Sequence, residues 1–310
     1  MRDEELRAQG PPKDFDNTMI SNFVSCPRAL YWFMRRVISD YIPPYFTFGR
    51  AFGQGINTWH ETQSGNLPIE ARIAAAQKTA EDIWIKEQPM EKGNDNFANL
   101  TSMIDTYCWV YGKDEAWETI ATEIGFQVPI PGTTVNYSGA LDSYINWPGY
   151  GLLLREDKTT GNYITDAFIN QWTHSSQVTG YIWALWQTLG EEPFGALMNF
   201  ASKRPRKDAT LRFSRDLQKR DEFRTQRFME DTVELIDSIR RQWDTWKWPQ
   251  WGERNPMNCV GGPGKSPCAY RPLCLLPTDP WELDKDLNLV GMGFKERPPW
   301  APWAREGDDD

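Results

Sequence analysis

Asp142, Glu156 and Lys158 are the residues whose types and spacing could do chemistry. Asp142 closes the run Ser138-Gly-Ala-Leu-Asp142. Glu156 and Lys158 close Leu152-Leu-Leu-Arg-Glu156-Asp-Lys158, and the turn signal Trp147-Pro148-Gly149 lies between. Tyr137 to Ile145 and Tyr150 to Lys158 have the apolar content of strands, and Pro-Gly between such runs predicts a hairpin. Alternation along a strand puts Glu156 and Lys158 on one face with Leu152 and Leu154. Two carboxylates about 4 Å apart repel by on the order of 4 kcal/mol at an effective dielectric near 20. A hard cation such as Mg²⁺ or Mn²⁺ removes that repulsion and is held by carboxylates, waters and phosphate oxygens. A lysine beside it can position the attacking water while charge builds at phosphorus. The same three residues also suit an ordinary salt bridge at a hairpin end.

The chemistry constrains the hairpin. A two-residue Pro148-Gly149 turn would pair Asp142 with Arg155 and send Glu156 to the opposite face, because a one-residue slip reverses every side chain. An odd loop of three or five residues, centred on Pro148, is therefore expected, with Asp142 across from Glu156.

A second group is made of cysteines. Three of the five stand in a Gly/Pro-rich stretch, Cys259-Val-Gly-Gly-Pro-Gly-Lys-Ser-Pro-Cys268-Ala-Tyr270-Arg-Pro-Leu-Cys274, where packing gives them no reason to be. Cys26 precedes Pro27 at a helix start, where the backbone dipole favours a thiolate. Together they supply four thiolates, enough for Zn²⁺ or an iron–sulfur cluster, and spacing does not choose between them. Cys108 lies on the helical stripe Phe97, Leu100, Ile104, Tyr107, Cys108, Tyr111 and is expected in the core.

The elements that must position these groups follow from the chain in order. Residues 1–16 form a flexible lead-in. A helix runs from about Ser25, its expected cap, to Val37, and a loop over Phe46 to Arg50 enters a helix carrying Trp59, His60 and Glu61. Helices at Ile69–Lys86 and Phe97–Tyr111 precede a strand from Glu118 to Ile130, in which Glu123 is either a neighbour of the metal or half of a salt bridge. After the hairpin comes one helix, Asp166–Leu189, and then strands at Gly195–Ala201 and Ala209–Phe213. A long helix from Asp216 to Lys247 buries Phe223, Met229, Val233, Ile236 and Ile239. This order gives an α/β fold with a mixed central sheet flanked by helices. The divisions are 1–16 flexible; 17–276 one domain, with a helical part 17–115, a core 116–215 and a long helix and cysteine loop 216–276; and 277–310 irregular, Pro/Trp-rich, ending in an acidic tail.

The 310 residues carry a net charge of −9, which does not advertise a nucleic-acid partner, although local patches outweigh the sum. Between Lys203 and Arg227 the sign reverses, ten basic residues against Asp208, Asp216, Asp221 and Glu222. That run is either a phosphate-facing surface or a solvated helix face. No apolar run approaches membrane-spanning length, and the start lacks an apolar signal region. An odd cysteine count without export signals suits a reducing cytosol.

The hairpin resembles the signature of the PD-(D/E)XK nuclease superfamily, with Asp142 as first acid and Glu156-Asp157-Lys158 as E-x-K. Gln177-Val-Thr-Gly-Tyr181 is similar to the Q-x-x-x-Y motif of RecB-type nucleases. One cysteine before the core and three after it, the last two in C-x-Y-R-x-x-C, resemble the iron–sulfur nucleases of the AddB type and the CRISPR-associated RecB-like exonucleases with their phage-encoded relatives. The resemblance spans about residues 20–276. It implies a restriction-endonuclease-like core and a [4Fe-4S] cluster on Cys26, Cys259, Cys268 and Cys274 that clamps the N- and C-terminal segments. It implies Mg²⁺ or Mn²⁺ on Asp142, Glu156 and the main-chain carbonyl of Asp157, catalysis by these acids with Lys158, and DNA positioning by Gln177 and Tyr181. Aligned on Phe48-Gly49, the family's histidine ligand falls on Gly53, with His60 two turns along as the tentative substitute. The implied function is a metal-dependent DNA exonuclease acting on ends or single strands, in the cytoplasm of a bacterial or phage-infected cell, with recombination, repair or phage-processing partners and no membrane. The alternative is a non-catalytic iron–sulfur DNA-binding or scaffold protein derived from such a nuclease.

Overall fold

The structure, a computed structural model, describes all residues except 66, 113–116, 253–254, 262–265, 277–288 and 305–310. In chain order the helices are α1 (Asp3–Gln9), α2 (Asn17–Ser25), α3 (Pro27–Met34), α4 (Pro44–Glu61), α5 (Ile69–Glu87), α6 (Phe97–Tyr111), α7 (Asp166–Asn170), α8 (Ser176–Leu189), α9 (Glu222–Thr245), α10 (Pro256–Val260) and α11 (Arg271–Cys274). The strands are β1 (Asp14–Phe15), β2 (Val37–Ser39), β3 (Glu118–Pro129), β4 (Asn136–Trp147), β5 (Gly151–Thr160), β6 (Gly195–Ser202), β7 (Phe213–Gln218) and β8 (Phe294–Glu296). The chain divides into two compact units, one of Met1–Tyr41, Gln127–Gly139 and Gln226–Asp310, the other of Ile42–Phe126 and Ala140–Thr225. β3, β4 and α9 contribute residues to both.

The second unit is α/β, with a mixed sheet and helices packed on it. β5 pairs antiparallel with β4 and parallel with β6, and β6 pairs antiparallel with β7. β6 is buried along its whole length, as befits a central strand flanked on both edges. Its odd-numbered neighbours on β5 face α4 and α6, and its even-numbered ones face α8 (the contacts are given below). α4, α5 and α6 enclose a core of Phe48, Phe52, Ile56, Trp59, Leu100 and Ile104. Cys108 is fully buried in it, as its place on the apolar stripe requires. α6 has the expected bounds, and Asn96 caps it by accepting the Asn99 amide at 2.8 Å.

The hairpin register runs from Trp147↔Gly151 to Ser143↔Arg155, so Asp142 and Glu156 share parity one step beyond its end. The loop has three residues, Pro148-Gly149-Tyr150, and its centre is Gly149 rather than Pro148. Tyr150 N donates to Trp147 O at 2.9 Å, with Gly149 at φ 90° in the position where such a turn needs a left-handed residue.

The first unit holds α1–α3, β1, β2, most of α9, the cysteine-bearing α10 and α11, and β8. The flexible lead-in expected over 1–16 is instead α1 and β1: Leu6 and Phe15 are buried, and β1 pairs in parallel with Asn136 and Tyr137. Ser25 ends α2 instead of capping α3; Cys26, in extended backbone, is the joint, and Pro27 opens α3 with its φ already helical. Of the terminal segment, 277–288 and 305–310 lie outside the described residues. The part between is not irregular throughout, because β8 pairs with β2 and Trp300 Nε1 donates to Asp16.

Four further expectations are corrected. α4 begins at Pro44, so Phe46 to Arg50 is helix and not loop. The single helix over Asp166–Leu189 breaks before Ser175, whose hydroxyl takes the Val178 amide at 3.3 Å and whose backbone is extended. A serine able to cap competes with helix continuation, and here it wins. Ala209–Arg212 is a 3₁₀ turn nucleated by Asp208, which accepts the Thr210 amide, and the strand is β7. Phe223 is 72% exposed, while Met229, Ile236 and Ile239 form the buried stripe of α9.

Two glycines of α4 predict opposite outcomes. At Gly55 an added Cβ would meet Ala76 O and Ile104 Cδ1, both at 2.9 Å, so this glycine sets how closely α5 approaches. At Gly53 nothing lies within 4 Å. Gly55→Ala should destabilise the protein by about 1–3 kcal/mol through overpacking. Gly53→Ala should stabilise it by roughly 0.5–1 kcal/mol through helix propensity. Chemical denaturation of the two variants checks both signs.

Candidate active site and cysteine cavity

β5 leaves the core with four charged side chains in succession, and alternation sends them to two faces. Arg155 and Asp157 go to one, where they form a salt bridge at 3.2 Å with side chains 0% and 2% exposed. Asn57 of α4 accepts from Arg155, and Asn199 of β6 donates to Asp157. Asn199 also reaches the Tyr107 hydroxyl at 2.9 Å, which receives Arg215 at 2.8 Å. Breaking a buried pair of this kind by removing one partner typically costs about 3–5 kcal/mol. This network anchors the strand end.

Glu156 and Lys158 go to the other face. Glu156 is 1% exposed; its Oε1 accepts from Lys158 Nζ and, at 3.0 Å, from Gln177 Nε2 of α8. Its Oε2 is buried with no hydrogen-bond partner. Lys158 Nζ lies 5.7 Å from the Trp172 ring. Asp142 meets the site from β4, its Oδ2 accepting the Asp157 main-chain amide at 3.0 Å. Asp142, Glu156, Lys158, Gln177 and the main chain of Asp157 are thus brought to one strand end. Tyr181, one turn beyond Gln177, packs edge-on against Phe126 of β3 at 5.6 Å.

His60 is placed elsewhere. It is 2% exposed, with Nε2 3.3 Å from the Tyr107 hydroxyl and its ring against Trp117, so it belongs to the buried network on the Arg155 face. Glu123 shares the Asn57 amide with the carbonyl of Asp142, at 3.0 and 3.4 Å. Among the described residues it has no salt-bridge partner.

Burial makes these acids costly to ionise. Desolvation, then the nearby Asp142 charge, pushes Glu156 up to about 8 even against Lys158. Asp142 is raised by burial as well. Partial desolvation of its carboxyl, then Asp142, pushes Glu123 up to about 7. Burial pulls the Lys158 ammonium down, but Glu156 and Asp142 more than offset it and the net shift is upward. Lys158 is therefore a cation at neutral pH: it can donate and stabilise negative charge but cannot take a proton. Each acid is held by its own partner, and among the described residues no group of three or more His, Cys, Asp or Glu side chains is disposed to hold a metal ion as it stands.

In the first unit, Cys26, Cys259, Cys268 and Cys274 line one cavity of about 300 Å³. All are free thiols. The Trp251 amide points at Cys26 Sγ from 3.4 Å, and Cys268 N donates to Cys259 O at 3.1 Å. A Cβ on Gly252 would stand 2.8 Å from Cys259 Sγ, so only glycine leaves that sulfur room. Burial raises the Cys268 thiol, and pushes Cys274 up to about 11.

The basic run is largely consumed by the fold. Lys203 pairs with Asp95, Arg212 donates to the carbonyls of Ser202 and Lys203, and Arg215 stacks 3.5 Å from the Tyr111 ring centre. Arg220 and Arg224 donate to Trp172 O and Thr173 O. Sequence reasoning missed these roles, and it missed Asn57, Asn199 and Tyr107, which no local signal marks.

The raised carboxyls fix a pH dependence. Between about 4.5, the ordinary value, and about 8, folded Glu156 keeps a proton that the unfolded chain gives up. Its contribution is therefore most favourable below about 4.5 and is lost as pH rises through about 8. EDTA-treated protein should melt progressively lower across this window, and Glu156→Gln should flatten the profile. Thermal melts followed by circular dichroism read both.

No family model and no curated protein matches the chain. Among several solved chains that it resembles is one described as "Crystal structure of SSO0001", aligned over 79% of this chain and 89% of that one at 13% identity and a TM-score of 0.31. Among the described residues, no helix is long and apolar enough to cross a membrane.

Proposed function

We propose that the protein is a metal-dependent DNA nuclease whose active site is the strand end carrying Asp142, Glu156 and Lys158. The observation that carries the reading is Glu156: a fully buried carboxylate with one oxygen tied to Lys158 and Gln177 and the other unmatched. Leaving a buried acceptor unpaired costs about 1–3 kcal/mol, and a bound cation is a partner that would complete it once the carboxyl gives up the proton that burial favours. Carboxylate oxygens select hard cations such as Mg²⁺ or Mn²⁺.

Asp142, Glu156 and the main-chain carbonyl of Asp157 would hold the ion. When bound, it supplies charge stabilisation at the phosphoryl oxygens and a more acidic water. The chain's own groups do the rest. Lys158, held as a cation, donates to the attacking water or to a phosphate oxygen as negative charge accumulates there. Gln177 holds Glu156 Oε1 and so fixes where Oε2 points. Tyr181, packed against Phe126, would guide the strand together with Gln177. DNA is the substrate class by resemblance of the motif set, with end-directed cleavage in recombination, repair or phage DNA processing, in a cytoplasmic setting.

By resemblance the four cysteines would hold an iron–sulfur cluster that clamps the N-terminal α2–α3 joint to α10–α11, and their shared cavity supports that reading. A polynuclear cluster spreads its thiolates over several irons, so its ligands stand further apart than those of a single ion, and a shared cavity is what such a site requires. The raised thiols of Cys268 and Cys274 ionise only where metal charge compensates them. A second reading, a non-catalytic iron–sulfur DNA-binding or scaffold protein, is favoured by one observation: Gly53 offers no ligand, and His60 is engaged with Tyr107.

Linear DNA should be degraded by purified protein with Mg²⁺ or Mn²⁺ and not with EDTA. Glu156→Ala and Lys158→Ala should each lower the rate by roughly 100-fold or more. Wild-type protein that binds DNA without cutting it selects the non-catalytic reading. Anaerobically purified protein should be brown and contain iron; Cys26→Ala should bleach and destabilise it, and Cys108→Ala should keep the colour. Zinc in place of iron would overturn the cluster.

A further inference from the structure

We propose that Tyr163, with Arg204 and Arg206, is a stacking platform for single-stranded DNA at the edge of the sheet that carries Lys158. The proposal rests on the reading of that strand end as a nuclease site and adds which form of DNA it takes. β5 and β6 run in parallel as far as Thr160↔Ser202, so both chains emerge at one edge of the sheet. Tyr163 follows β5, and Arg204 and Arg206 follow β6. The chain from Lys158 to Tyr163 spans at most about 18 Å. The ring is therefore within a few nucleotides of a phosphate held at Lys158.

Tyr163 is 43% exposed. The Arg206 guanidinium lies 3.9 Å from its ring centre, and that of Arg204 lies at 5.0 Å. Elsewhere in the basic run the cations are consumed by carboxylates, carbonyls and rings of the fold. Arg206 is different: among the described residues its guanidinium has the ring of Tyr163 and no hydrogen-bond or ion-pair partner. Arg204 spends only Nε, on the Gly161 carbonyl at 2.8 Å. Asp208, the nearest acid in sequence, is occupied by the amide and hydroxyl of Thr210 at 3.0 and 2.7 Å. The patch thus keeps its positive charge.

The two loops are fastened to each other before anything binds. Ser202 Oγ donates to Asn162 O and the Lys203 amide to Thr160 O, both at 2.8 Å. Buried Arg212 holds the carbonyls of Ser202 and Lys203 from beneath. A platform fixed in this way loses little freedom when a ligand arrives. Its chemistry selects the ligand. Free guanidinium donors attract phosphate, and a flat ring–guanidinium stack takes a base face. Bases inside a duplex are already stacked on each other, whereas an unpaired base has a face to offer. Stacking of that kind tolerates any sequence.

The test uses the full chain in EDTA, so that no strand is cut. A fluorescein-labelled single strand of mixed sequence and its blunt duplex are the probes, read by fluorescence anisotropy. Wild type should bind the single strand more tightly than the duplex. Tyr163→Ala and Arg206→Ala should each weaken single-strand binding by roughly fivefold or more, and Tyr163→Phe should bind as wild type does. Arg206→Ala should also lower the slope of log affinity against log salt by about 0.7, the share of one phosphate. Should Tyr163→Ala melt below wild type, Arg206→Ala and its salt slope decide. If both alanine variants bind as wild type does, while wild type cuts DNA with Mn²⁺, the platform falls and the nuclease site stands. Equal losses toward strand and duplex would mark a merely electrostatic surface and overturn the single-strand assignment. Wild type that neither binds nor cuts DNA sinks both.

Discussion

Putting ionisable side chains on a strand that is buried on both faces is the constraint around which the second unit is built. β5 carries Arg155, Glu156, Asp157 and Lys158 out of a core that tolerates Leu153 and Leu154 at 0% exposure. Charges in that environment persist only if each is paired and hydrogen-bonded. The fold meets the requirement in two ways. On the Arg155 face Asp157, Asn57, Asn199 and Tyr107 supply internal compensation, while Arg155 Nε and Nη1 stay buried without a hydrogen-bond partner. On the Glu156 face it is partial: Lys158 and Gln177 satisfy one oxygen and leave the other.

The two faces depend on each other through the backbone. Asp157 contributes its side chain to the anchor and its main-chain amide to Asp142, so the residue between the two motif charges joins the halves. Asn57 does the same from the helix side, holding Arg155 with its oxygen and Glu123 with its nitrogen. A perturbation of the anchor would therefore move the acids without touching them.

Much of this was legible in the sequence where the signal was local or where chemistry supplied a constraint. α6 could be bounded at both ends because its apolar period and its Asn96 cap are written within a few residues. The parity of Asp142 and Glu156 could be argued because the alternative register would scatter the acids, although the turn centre was misplaced by one residue. Gln177 was placed by motif and meets Glu156 directly. What was not legible required convergence of distant segments. Asn57 and Arg155 are 98 positions apart, and nothing around either announces a partner. His60, readable as a tentative ligand or as a helix-surface histidine, is instead buried beside Tyr107, which the sequence could not show. The break at Ser175 was invisible because a serine in a helical pattern is neutral until its hydroxyl finds an amide.

The basic run between Lys203 and Arg227 shows most clearly why composition alone misleads. A change of sign in an acidic chain invites an electrostatic surface, yet charge counting does not distinguish an arginine facing water from one filling a void. Arg212 and Arg220 are 5% exposed and spend their donors on backbone carbonyls that loops leave unpaired. Arg215 lies over three aromatic rings. Guanidinium suits this work, since it offers several donors in a plane and stacks where an ammonium would demand water. Among the cations that stay exposed, Arg204 and Arg206 lie over Tyr163, itself 43% exposed, on the loop that leaves β5 just past Lys158. An aromatic ring flanked by guanidiniums offers both stacking and phosphate attraction. The acidic chain thus keeps a small cationic surface a few residues along from Lys158, which a count of charges does not reveal.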